Sequence, residues 1–250
     1  MKKILLTAVC LGLLAANCNK EDDPVADSTP VGGNTVVSVS FHWKWGPNNL
    51  DTTLICTTTM GEPIKFRRVQ FFVAQPYFQD DNGALVQEFP SKYLLVDLAD
   101  GALVQNIGEL NGHLQTMHLT LGLDSAANHA DPTQYAIDNP LSVSTGMHWS
   151  WTDGYVFMRL EGWYDSNNDG LVNLADNMFS YHCPTDIMRR LHQVELHQDA
   201  LTGGALVIDL DLDMAVVIGS TDIQNNNFGT VANATTITLM DNLVTAITAP

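Results

Sequence analysis

The chain reads as all-β, a single antiparallel β-sandwich with long loops and a short C-terminal helix. Three observations predict it. Segments alternate apolar and polar residues at the strand period of two, Gly, Pro and Asn clusters punctuate them, and helical patterns do not alternate with the strands as a parallel α/β sheet would require.

The first strand carries Val37, Val39, Phe41, Trp43 and Trp45 on one face and Ser38, Ser40, His42 and Lys44 on the other, so His42 points away from the core. After a turn at Gly46–Leu50, Thr52–Thr59 reads as a Thr-rich strand holding Cys56, and 64–74 follows with Val69, Phe71 and Val73 in alternation. Leu85–Phe89 and Tyr93–Leu98 are short strands set off by Asn82-Gly83 and Pro90. Leu114–Leu123 alternates again and runs into the loop Asp124–Pro132, where His129 lies between Asn128 and Asp131, oxygen-bearing residues able to orient an imidazole. Past the centre of the chain, 191–196 and 205–212 are strands. The latter places Asp209, Asp211 and Asp213 on a solvated face, and His192 and His197 read as surface residues. Ile237, Met240, Leu243, Val244 and Ile247 have helical spacing behind Thr235 and Thr236 as caps.

Gly146–His182 holds most of the chemistry. Met147-His148-Trp149-Ser150-Trp151 sets two indoles two residues apart around a turn, and 155–160 is a half-buried strand. Asp165, Asn167, Asp169, Asn173 and Asp176 then fall at positions 1, 3, 5, 9 and 12 of a calcium loop, with the Leu171 carbonyl at position 7 and Gly170 at the sharp turn. Position 12 is Asp176 in place of the usual Glu, which shortens the last ligand. An Asn/Asp/Gly-rich turn without an ion is the competing reading. Phe179–Cys183 is a short strand delivering His182.

With 28 acidic against 11 basic residues, the formal charge of −17 repels phosphate backbones and excludes nucleic acid as a partner. Residues 1–17 read as a secretion signal too short to span a membrane, and Cys18 stands where a bacterial lipoprotein is acylated. Residues 18–34 form a polar tether and 35–250 the domain. This predicts an extracytoplasmic protein held at the outer membrane or cell surface by lipid, or otherwise a periplasmic one. If Cys18 is acylated, Cys56 and Cys183 are left as an even pair able to form a disulfide in an oxidising compartment. Free buried thiols, or Cys183 as a copper thiolate, are the alternatives.

Phe41 with Gly46, Phe71-Phe72-Val73, Leu121-Gly122-Leu123-Asp124, Asn128-His129-Ala130-Asp131, Pro140-Leu141, Met147–Trp151, Gly154-Tyr155-Val156-Phe157 and Tyr181-His182 occur in the order seen in the MbnP-like copper-binding proteins. The chain resembles that family, of the methanobactin-associated MbnP and CorA type, from about Val36 to Leu212. The resemblance implies an extracytoplasmic β-sandwich that binds one copper through histidine and kynurenine, the latter made from tryptophan by a partner dihaem peroxidase-like enzyme of the MbnH type. Carried onto this sequence, it points to His129, to His182, to Trp149 or Trp151 as the modified residue, and more weakly to His42. His148 stands where the pattern has Phe or Tyr, and the Asp165–Asp176 loop is additional to it.

A copper-binding lipoprotein with structural calcium is therefore the leading expectation. No catalysis is expected, since Gly-x-Ser-x-Gly, Walker-type and His-Glu-x-x-His patterns do not occur. A calcium-stabilised adhesion or carbohydrate-binding sandwich, using Trp43, Trp45, Trp149, Trp151 and Trp163 as a stacking surface, is the alternative. A hydrolase built on Glu161 and Asp165 would need both carboxylates in one cleft.

Overall fold

The computed structural model describes residues 33–250; the secretion signal, Cys18 and most of the tether lie outside the described residues. The fold is an open two-sheet sandwich. One sheet contains β1 (Thr35–Trp45), β2 (Asn48–Asn49), β7 (Val104–Leu110), β13 (Ala205–Asp213) and β15 (Ile247–Thr248). The other is ordered β12 (Arg190–Ala200), β8 (Gly112–Leu121), β4 (Pro63–Gln79), β10 (Gly154–Tyr164), β11 (Met178–Pro184) and β14 (Phe228–Gly229). The edges β3 (Cys56–Thr57), β5 (Leu85–Glu88) and β6 (Tyr93–Asp97) add to β4, and β9 (His148–Ser150) forms a hairpin with β10.

Alternation aims the odd-numbered residues of β1 at the opposite sheet. Phe41 and Trp43 meet Phe71 edge to face at centroid distances of 5.7 and 6.0 Å, and Trp45 meets Phe66 at 6.0 Å. Beside β1 in the same sheet, Ile208, Leu210 and Leu212 of β13 are fully buried. Of the three α-helices among the described residues, α1 (Ser125–Asn128) is a single turn and α2 (Met214–Ile218) follows β13. The terminal helix α3 (Ala234–Ala246) lays Leu239, Met240 and Leu243 on the core. Its cap is Asn233, in a reciprocal box with Thr236, so the expected helix starts one residue earlier than Thr235.

Several local expectations change. The sandwich is not antiparallel throughout, because β1 pairs with β13, and β11 with β14, in parallel. The Thr52–Thr59 strand shrinks to Cys56–Thr57, while β4 extends to Gln79 past a break at Gln75, whose φ is +51°. Strand β7 gave no expectation at all.

The disulfide is corrected. Cys56 and Cys183 are both buried and free. Cys56 pairs with Ile64 and Ile64 with Tyr164, whereas Cys183 pairs with Met158, so the thiols are offset by six β10 residues and three strand spacings. That offset is roughly 20 Å along the strand, far beyond the ~7 Å between Cα atoms that a bridge tolerates.

Candidate metal centre

Residues 182 and 183 are neighbours on β11 and point to opposite faces. Cys183 faces the core, on the face away from His182, and donates to the Thr236 carbonyl at 3.6 Å, and burial pushes its thiol well up. His182 faces outward over β10, yet it is only 9% exposed. Its Nε2 lies 2.9 Å from Glu161 Oε1 and 3.3 Å from the Ser180 hydroxyl. Glu161 also faces Arg67 at 3.6 Å and Arg159 at 3.8 Å. The hydrogen bond to His182, and then the two arginines, hold the Glu161 carboxyl below its usual range against a contrary desolvation.

Two atoms of this cluster are enclosed without a hydrogen-bond partner, Arg159 Nε and His182 Nδ1. An orphaned buried nitrogen costs about 1–3 kcal/mol, so an imidazole with one ring nitrogen bonded to a carboxylate and the other unpaired holds a lone pair open to a hydrogen-bond donor or a metal.

Trp149 covers that imidazole. Its ring meets His182 edge to face with centroids 5.0 Å apart, and it remains 42% exposed. Arg159 supports the approach from beneath, since its guanidinium donates at 2.7 Å to the Gly146 carbonyl at the entry to the Trp hairpin. Trp151 turns elsewhere: it is 70% exposed and packs on His148 at 5.4 Å. His148 lies between Trp151 and Tyr155, and burial lowers its pKa.

The Asn-His-x-Asp motif works differently from its sequence reading. Asn128 is fully buried; its amide donates to Asp186 at 2.7 Å and accepts the Tyr155 N–H at 2.7 Å. It thus ties α1 to the Trp hairpin and to the turn that follows β11. Gly154 is necessary there, because its φ is +74° and an added Cβ would lie 2.3 Å from Asn128 Oδ1 and 2.4 Å from the Asn128 carbonyl oxygen. Asp131 caps the turn at Pro132 through the Thr133 N–H. Neither residue orients His129. That exposed imidazole instead faces Asp186 at 3.7 Å, at the far end of the segment that carries His182.

The remaining candidates separate from this centre. His42 lies on the outward face of the other sheet, 2.7 Å from Asp209, so it does not join His182. Trp43 and Trp45 are committed to the sandwich interior, so the five indoles do not form one stacking surface. Glu161 belongs to the His182 cluster, and Asp165 accepts N–H groups of its own loop, so no paired-acid cleft forms. Contrary to its surface reading, His192 is half-buried and donates to the Ile247 carbonyl at 2.9 Å.

The 165–176 loop connects β10 to β11. Asp165 and Asp176 are buried at its base. Asp165 accepts the N–H groups of Asp169 at 3.1 Å and Gly170 at 2.8 Å, and Asp176 accepts that of Asn173 at 2.8 Å. Among the described residues, no group of three or more His, Cys, Asp or Glu side chains converges to hold a metal ion.

The MbnP family model matches residues 34–237. The chain belongs to the MbnP family. Among solved structures, MbnP from Methylosinus trichosporium is similar at 14% sequence identity, covering 81% of this chain and 82% of that one with a TM-score of 0.48. No curated protein sequence matches the chain. The MbnP region spans both sheets and includes every residue of the His182 cluster, the Trp hairpin and the Asn128 tie.

Proposed function

We propose that this MbnP-family protein binds copper outside the cytoplasm at a centre made by His182 and Trp149. The observation that carries the reading is the enclosed, unpartnered His182 Nδ1, on an imidazole whose ring centroid lies 5.0 Å from that of Trp149. Imidazole suits copper, but an indole N–H is only a donor of hydrogen bonds. Oxidation of Trp149 to kynurenine by a dihaem, peroxidase-like enzyme of the MbnH type, with two equivalents of peroxide as oxidant and the indole C2 leaving as formate, would replace that N–H with an aniline and a ketone, both able to ligate. Its exposure leaves Trp149 accessible to such an enzyme. His129, on the loop tied to the same strand end, is the candidate for a further imidazole ligand. Copper there would be a stored or transferred ion, and the protein a binding protein without catalysis of its own.

Calcium in the 165–176 loop is the second part of the proposal. Acceptance of the position-6 N–H by the position-1 carboxylate supports it, as do the oxygen side chains at positions 1, 3, 5, 9 and 12. Lipid attachment at Cys18 would place the domain at the outer membrane or cell surface. Peptide mass spectrometry of protein from its native host tests the copper reading: kynurenine at Trp149 with Trp151 unmodified is expected, and an unmodified Trp149 in copper-loaded protein overturns it.

A further inference from the structure

We infer that Glu161 is a positioning residue that keeps the His182 proton on Nε2 and thereby makes Nδ1 the metal-facing donor. The inference rests on the copper reading for its purpose, but its physical content concerns the protein alone. An ionised carboxylate only accepts hydrogen bonds, so the 2.9 Å contact between Glu161 Oε1 and His182 Nε2 requires the proton on Nε2. A neutral imidazole has one N–H, which leaves the lone pair on Nδ1. The opposite tautomer is disfavoured at both ends: Nδ1–H would have no acceptor in its enclosure, and the Nε2 lone pair would face a carboxylate oxygen. Arg67 lies 3.6 Å from Oε2 and Arg159 3.8 Å from Oε1, so both oxygens of the carboxylate face a guanidinium that favours its ionised form. Glu161 and His182 sit diagonally on adjacent strands, β10 and β11, which makes the pairing a product of register. Sequence spacing does not reveal it, since 21 residues and the whole 165–176 loop separate the two.

The test is nitrogen-15 NMR of His182 in the full mature chain at mildly alkaline pH, without metal and after anaerobic Cu(I) addition, for the native protein and Glu161→Gln. Native protein should carry its proton on Nε2, and Cu(I) should shift the Nδ1 resonance while the Nε2 proton stays. An amide can either accept from or donate to Nε2, so Glu161→Gln should show mixed tautomers and bind Cu(I) roughly 10- to 100-fold more weakly. A proton on Nδ1 in the native protein, or a variant with unchanged tautomer and affinity, overturns the inference. A tautomer locked by Glu161 in a protein that takes up no Cu(I) supports the positioning role and refutes the copper reading. Should Glu161→Gln fail to fold, the native tautomer decides.

Discussion

The amide of Asn128 is fully buried, so losing it strands the buried Tyr155 N–H, while the exposed Asp186 carboxylate turns to water. Asn128→Ala should cost about 1–3 kcal/mol, the penalty for one unsatisfied buried group, read as a lower denaturant midpoint at unchanged slope. Gly154→Ala meets the same side chain from the other side and adds a left-handed φ. It should lose at least about 2 kcal/mol by the same measurement, and a variant of native stability would show that the tie is not rigid. The sequence pattern marks Asn128, His129 and Gly154 as special without saying how. Asn128 looks like a companion of His129 because they are adjacent, yet its partners lie 27 and 58 residues away. Nothing in the sequence pairs Glu161 with His182, because a carboxylate shares no local motif with an imidazole 21 residues away.

Strands with one buried face were legible because alternation survives whenever one face is wet. Where both faces are covered it misleads: 155–160 reads as a half-buried strand, yet β10 is buried at nearly every position. Strand β7 was missed because its sequence, VQNIGEL, buries only Ile107 and Leu110 and gives too short a period to read. Parallel pairing of β1 with β13 joins segments about 170 residues apart, which no local pattern encodes. The 165–176 loop is the clearest case of an element read from spacing, and it sets its own prediction. Calcium at 100-fold over its dissociation constant should stabilise the fold by about 2.7 kcal/mol, chelator should reverse the shift, and Asp165→Ala should abolish it. A melting temperature indifferent to calcium would leave the loop as an Asx-rich turn.

Across the whole molecule, titration and redox behaviour follow from burial. Burial lowers the pKa of His118, His148 and His192. The unfolded chain then binds protons that the folded chain refuses, so their contribution is present above the ordinary histidine pKa of about 6.5 and is lost as pH falls below it. Thermal melts between neutral pH and about pH 5 should show this loss, and His192→Gln should reduce it; a slope unchanged by the substitution would assign the effect elsewhere. The buried thiols predict no change in melting temperature on adding reductant, since Cys56, pushed up to about 12, and Cys183 are neither bonded nor ionised.

At this scale the sandwich brings the Trp hairpin, the β11 histidine and the α1 loop to one end of one sheet, which no linear reading could establish. It also carries His42 to the other sheet. The direct measurement is copper content of the mature protein purified from its native host, native chain beside His182→Ala, with folding checked by near-ultraviolet circular dichroism. One copper per native chain and its loss in a folded His182→Ala protein is the expected result. A folded variant that retains its copper in full would contradict a centre at His182 and Trp149.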